Sequence, residues 1–296
     1  VNVRIAAHLI VGARPERFLA ASLASLEGVA DLVLVNENSG TAESENRRVL
    51  DQSSFARRGA LVIDPAPFVD FASARNRVLD LHRRHANGAW AAFIDADEVH
   101  RPVARRVAAR LQDLPDTIAT VDGYVRHYLR SFRWYTSIDR RISFFRVTEK
   151  LRWEGAVHEH LVGIEGTSLA IPYVYDHYGA MLPVREHAEK GRQYSSLGAP
   201  GETTSEERAE RIEEREYYGP LYPHAIRYRG SQNPTVAKLQ RQMEAELAES
   251  FARTDGYIAD AQPPSVRFKN ALMALVYGYR WRGRLLLPPA RRLVSP

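Results

Sequence analysis

Short apolar runs alternate with stretches of helical periodicity through the first hundred residues. Val3–Val11 is largely apolar, broken by Arg4 and His8, and reads as a first strand. Gly12-Ala13-Arg14-Pro15-Glu16 is a turn with Pro15 placed to start a helix, and Leu19, Leu23 and Leu26 recur at helical spacing until Gly28. Asp31–Val35 predicts a second strand, closed by the polar turn Asn36–Thr41 and followed by a helix through Leu50. Ala60–Ile63 is a third strand, Phe71–His85 an arginine-rich helix, and Trp90–Ile94 a fourth strand too short and too apolar for a surface helix. Strand and helix in alternation predict an α/β fold, with a mostly parallel sheet flanked by helices.

The character changes after the helix Arg101–Leu111. Thr120–Leu129, Arg141–Val147 and Leu169–Tyr175 read as strands joined by short polar pieces, as in the antiparallel additions of mixed sheets. Gly198-Ala199-Pro200-Gly201 marks a second shift, which sets the expected division at 1–198 and 199–296. Beyond it, Thr203–Glu216 is charged at helical spacing, a solvated helix or one that orders on binding, with a lid or acceptor-side role as the functional expectation. Asn233-Pro234 opens another helix through Phe251, and a helical extension continues to residue 296. From Pro263 on, arginines mix with Phe268, Leu272, Leu275, Tyr277, Tyr279 and Trp281. That segment reads equally as a packed last helix and as one lying on a membrane surface.

The 296 residues are 45% hydrophobic, ample for a core, and no window reaches membrane-spanning length. No cysteine is present, which excludes disulfides, thiolate metal sites and cysteine nucleophiles. With no signal-peptide pattern, the expectation is a cytoplasmic protein, with peripheral contact at the inner membrane face an open extra. The net charge of +5 is nearly all arginine, since only four of the 41 basic residues are lysine. Arginine suits bidentate phosphate contacts, although a GC-rich coding bias accounts for the larger share. Nucleic acid is not an expected partner.

Candidate chemistry centres on Asp95-Ala96-Asp97-Glu98, at the carboxyl end of the fourth strand, where open α/β sheets bind ligands. Asp95 and Asp97 point to one side of an extended or tightly turned chain, as hard oxygen ligands for Mg²⁺ or Mn²⁺ do. An acidic cap on the helix near Pro102 explains the same triplet about equally well. Three further pieces stand with it: Phe71-Ala72-Ser73-Ala74-Arg75-Asn76-Arg77, Trp153-Glu154-Gly155-Ala156-Val157-His158-Glu159-His160-Leu161, and Asp176-His177-Tyr178-Gly179.

The order of these four pieces resembles the family 2 glycosyltransferases of GT-A fold. The branch most similar is that of lipopolysaccharide-core glucosyltransferases and peptide S-glycosyltransferases, over about Val3–Leu197. The resemblance implies an inverting transferase with a nucleotide-sugar donor, a UDP-sugar first, a divalent cation (Mn²⁺ or Mg²⁺), and a glycan or glycosylated natural product as acceptor. It implies Asp97 as direct metal ligand with the distant His177, and Asp95 on metal-bound water or on donor hydroxyls. Val11, Ala13, Glu16, Asn36, Arg75, Asn76, Asp95 and Ala96 would line the nucleotide-sugar. Glu159 is the first choice for the base, then Glu98, then His158. Acceptor contacts are expected from Trp134, Tyr135, Arg141 and Trp153. Trp134 and Tyr135 stand in an aromatic cluster with Tyr124, Tyr128 and Phe132, interleaved with Arg126, Arg130 and Arg133, which reads first as an acceptor wall and otherwise as a single-stranded nucleic-acid surface or a core edge. The chain departs from the pattern at Asn36-Glu37-Asn38, where relatives carry aspartate, and at Ala13–Glu16. A non-catalytic nucleotide- or sugar-binding module and a metal-dependent hydrolase, the latter suggested by His158-Glu159-His160, are the alternatives.

Overall fold

The computed structural model describes residues 3–182, 184–198 and 214–281. Most of the charged stretch from Thr203, the Ala199-Pro200-Gly201 breaker and Arg282 and Arg284 lie outside the described residues. The fold is a mixed α/β structure. Its strands are β1 (Ile5–Val11), β2 (Leu32–Glu37), β3 (Leu61–Asp64), β4 (Trp90–Phe93), β5 (Glu98–Val99), β6 (Ile118–Leu129), β7 (Trp134–Arg146), β8 (Arg152–Glu154), β9 (His160–Val162), β10 (Thr167–Ala180) and β11 (Ile226–Arg227). The helices are α1 (Leu19–Ser25), α2 (Glu45–Asp51), α3 (Ser54–Arg57), α4 (Phe71–His85), α5 (Ala104–Leu111), α6 (Val184–Ser196), α7 (Glu214–Tyr218), α8 (Ala237–Glu246), α9 (Ala248–Ala261) and α10 (Pro264–Trp281).

The main sheet runs β3-β2-β1-β4-β7-β6-β10-β5, with β11 on β7, and β8-β9 form a separate hairpin. β1 pairs in parallel with β2 and β4, and β2 with β3, so the carboxyl ends of four strands share one edge. β4 then meets β7 antiparallel, Ala91 opposite Phe145. The chain forms two compact units. Among the described residues the first holds 3–124 and Arg140–Tyr175, and the second holds Val125–Asp139 and everything from Asp176.

In the first unit α4 organises the core. Its apolar positions fall on two adjoining stripes, three and four residues apart. Val78 and Leu81 pack with Ala6, Leu32 and Leu34. Ala72 and Leu79 pack with Ala91, Phe93, Phe145 and Trp153. Asp70 caps the helix, its carboxylate accepting from Ser73 N at 2.6 Å. Asn46 ties down the loop after β1. Its amide donates to the carbonyls of Gly12 and Arg14 (2.9 and 2.7 Å), and its oxygen accepts from Glu16 N at 2.8 Å.

In the second unit Leu129, Tyr218, Tyr222, Ala225 and Ile258 form the core. The helix expected to run from Asn233 to Phe251 is broken. A 3-10 turn (Pro234–Val236) precedes α8, and Leu247, with φ −113° and ψ 20°, leaves helical geometry before α9 resumes.

Candidate active site

Four loops meet the carboxyl edge of the parallel strands: 12–16 after β1, 38–41 after β2, 65–70 after β3 and Ile94–Asp97 after β4. The last is a tight turn closed by a 3.0 Å bond from Glu98 N to the Asp95 carbonyl. Asp95 is held on both sides. Oδ1 accepts from Arg75 Nη2 at 2.7 Å and Oδ2 from Arg141 Nη2 at 2.8 Å. Glu98, with no exposed surface, completes the turn: Oε2 accepts the Asp95 backbone N–H at 3.0 Å and Oε1 accepts from Arg141 Nη1. The Arg75 Nε donates to Glu159 Oε1. Three carboxylates thus share two guanidinium groups, and both cations lie 4.3 Å from the centre of the Phe93 ring.

Arg75 reaches this cluster because it stands three residues beyond Ala72 on the packed face of α4, and Asn76 is one position further round. Asn76 pairs with the Trp153 backbone on both sides, Nδ2 donating to the carbonyl (2.9 Å) and Oδ1 accepting the amide (2.8 Å). Phe71 N donates to the Ala156 carbonyl at 3.2 Å. The β8–β9 hairpin is therefore docked on α4. Its loop turns through Gly155 at φ 101° and His158 at φ 55°, a left-handed conformation uncommon for a side-chain-bearing residue. The turn leaves His158 and His160 exposed and points Glu159 at Arg75.

The charges have defined states. Burial alone would push the Asp95 carboxyl up, but Arg75 and Arg141 outweigh it and hold the group far below the carboxylate range. Burial lowers Arg75 and Arg141, yet Asp95 and Glu159 raise the first and Glu98 and Asp95 the second, so both stay charged. Burial, with the Glu98 charge added, pushes the Tyr175 hydroxyl well above its ordinary value.

Asp97 is buried in the same turn. Each Asp95 oxygen accepts from an arginine, which competes with a cation for that carboxylate, and Asp97 would be the second carboxylate of the turn to offer an oxygen. Among the described residues no group of three histidine, aspartate or glutamate side chains is arranged to hold a metal. One carboxylate is a donor set compatible with Mg²⁺ or Mn²⁺, which keep several waters and accept phosphate oxygens from a substrate.

The remaining candidates fall as follows. Val11 is buried at the end of β1, Ala13 is exposed, and Ala96 is buried in the acidic turn. Glu16 offers its backbone N–H to Asn46. Asn36 is fully buried, its amide donating to the carbonyls of Asp64 and Ala66 (3.2 and 3.0 Å) and its oxygen accepting from Asn38. Trp153 packs in the core with Phe93 and Phe145. Arg141 is a structural partner of Asp95 and Glu98.

His177, Trp134 and Tyr135 belong to the second unit. Asp139 lies 3.2 Å from His127 Nε2, and His127 Nδ1 lies 2.9 Å from His177 Nδ1. The two imidazoles thus share one hydrogen bond, its direction set by their tautomers. Trp134 Nε1 donates to Asp255 at 2.6 Å. The aromatic cluster is mostly core: Tyr128, Phe132 and Tyr135 are buried, Tyr128 stacks on Tyr178, and Arg126 pairs with the buried Asp176 at 3.1 Å. Asn46 and Ser22, whose hydroxyl donates to the Asp95 carbonyl, were not anticipated from sequence, because their partners lie 30 to 73 residues away.

No protein-family model matches the chain, and no curated protein matches it. Among solved structures it is similar to a mannosyltransferase from Pyrobaculum calidifontis in complex with GDP-Man and Mn²⁺ (14% identity, 99% of this chain and 83% of that one, TM-score 0.42). It is also similar to S. aureus TarS residues 1–349 in complex with UDP-GlcNAc (10% identity, 94% and 89% covered, TM-score 0.38). Likeness at this level identifies neither activity nor ligand.

Proposed function

We propose that the chain is a glycosyltransferase that moves a sugar from a nucleoside diphosphate to an acceptor hydroxyl, with inversion at the anomeric carbon. The observation that carries this reading is the Asp95–Glu98 turn at the carboxyl edge of the parallel strands, beside the loop held by Asn46. Ligands of open α/β sheets bind at that edge, and the order of sequence motifs around it resembles the family 2 transferases. Proposed roles divide by environment. Glu98 and Asp95 fix the turn, since their oxygens are committed to Arg141, Arg75 and the backbone. Asp97, buried in the same turn, is the carboxylate proposed to hold a divalent cation, which when bound would neutralise the charge of a departing diphosphate.

Glu159 is the proposed base, because Glu98 has no exposed surface from which to reach an acceptor. In the transfer the acceptor oxygen forms a bond to the anomeric carbon, the bond to the diphosphate breaks, and the acceptor proton goes to the Glu159 carboxylate. Its ion pair with Arg75 fixes its position before substrate arrives. A UDP-sugar is the first donor to try and a glycan hydroxyl the first acceptor.

A thermal-shift screen of UDP-, GDP- and dTDP-sugars with and without Mn²⁺ tests the reading, because a ligand that binds only the native state raises its melting point. One donor class raising Tm in a Mn²⁺-dependent manner is the expected outcome. No shift with any of them at millimolar concentration overturns it.

A further inference from the structure

α10 carries apolar side chains on its open face as well as on its packed one, where Val266, Met273 and Ala274 are half-buried. Asn270 faces the second unit's core, its amide donating to the carbonyls of Pro223 and Ala225 at 3.2 and 3.1 Å. At 100° per residue, Phe268, Leu272 and Leu275 fall within about 60° of one another on the side opposite Asn270. They are 74%, 52% and 66% exposed, the large apolar open positions among the described side chains of the helix. Arg267 and Lys269 flank this stripe on either side, both exposed.

Charge identifies what would cover it. Asp260 is the last acid of the sequence given, and residues 261–296 carry seven basic side chains (Arg267, Lys269, Arg280, Arg282, Arg284, Arg291 and Arg292). An apolar stripe bordered by cations, in a segment without acids, has the chemistry of a helix lying in an anionic lipid interface. There the side chains enter the acyl boundary and the cations meet headgroup phosphates. No helix among the described residues is long and apolar enough to cross a membrane, so the contact is peripheral. Nucleic acid would use the cations but gain nothing from Leu272 and Leu275. A second copy of the chain would set two such cationic segments against each other.

We infer that the open face of α10 is a docking surface for an anionic lipid bilayer. This is independent of the proposed catalytic activity.

The test is co-sedimentation of the full chain with vesicles of phosphatidylcholine containing 30% phosphatidylglycerol, and with phosphatidylcholine alone. Binding is expected to anionic vesicles, at least tenfold weaker to neutral ones, and weakened by 0.5 M salt. The double variant F268E/L272E should lose at least tenfold in binding at unchanged Tm, since both side chains are exposed. Equal sedimentation of variant and wild type overturns the proposal. So does a wild-type dimer in light scattering that F268E/L272E makes monomeric without a change in vesicle binding, which would assign the face to a second copy.

Discussion

Asn76 and Trp153 are joined as two strands of a sheet would be, the side-chain amide of one pairing with both backbone groups of the other at 2.9 and 2.8 Å. This pairing, 77 residues apart in sequence, seats the hairpin that carries Glu159 on the helix that carries Arg75. Asn76→Ala leaves a backbone donor and acceptor without their partner and should destabilise the protein by about 1–3 kcal/mol. Asn76→Asp, which keeps the shape but cannot donate to the Trp153 carbonyl, should cost a comparable amount. Urea denaturation of the two variants checks this; a neutral Asn76→Ala would mean that the hairpin docks by other contacts.

Arg75 stands between Asp95 and Glu159 with almost no exposed surface. Removing it leaves two carboxylates facing each other without their shared cation. Arg75→Ala should therefore destabilise by roughly 3 kcal/mol, the low end for a broken buried pair because Asp95 is partly exposed. Arg75→Lys, which keeps charge without the fork, should recover only part of that in the same denaturation experiment.

Gly163 follows β9 at φ 79°, and a Cβ there would come within 2.2 Å of the Lys150 carbonyl oxygen. Gly163→Ala must move backbone as well as adopt a left-handed conformation. A loss of at least 2 kcal/mol, on the order expected for overpacking plus backbone strain, should appear as a lower denaturation midpoint. An unchanged midpoint would contradict the close approach.

His8 and His82 share a 2.8 Å hydrogen bond in the first unit's core. Burial, then His82 and Arg75, holds His8 well below its ordinary value; burial takes His82 down to about 4 and His100 down to about 3. These groups stay neutral when folded and charge near pH 6.5 when unfolded, so the unfolded state binds more protons as pH falls. Stability should be full above pH 6.5 and fall by about 1.4 kcal/mol per pH unit for each imidazole, through pH 4 for His82. The depressed Asp95 works only below the ordinary carboxylate range. Denaturation at pH 7 and pH 5 measures the slope, and His82→Gln should reduce it by about one proton's worth.

The parallel half of the fold was legible because strands such as β2 and β4 are buried on both faces and read as continuous apolar runs, as Leu32–Val35 and Trp90–Phe93 do. The antiparallel strands are longer than the apolar pattern predicts. β7 begins at Trp134 rather than Arg141 because its middle is polar and exposed, Asp139 and Arg140 among it. The acidic turn was found from its composition, but its wiring was not. Composition places Asp95 near Asp97 without telling that Arg141, 46 residues on, takes up one Asp95 oxygen. The aromatic cluster around Tyr128 and Tyr135 had the same composition as a ligand wall, and only packing shows most of it to be interior.

In the proposed reaction Asp97 holds the cation of a nucleotide-sugar at the carboxyl edge of β4. Calorimetric titration of the donor found by thermal shift into wild type and Asp97→Asn, each with Mn²⁺ and with chelator, tests it most directly. Mn²⁺-dependent binding that Asp97→Asn weakens at least tenfold, at unchanged Tm in the absence of ligand, is the predicted result. Donor affinity indifferent both to chelator and to Asp97→Asn would contradict it.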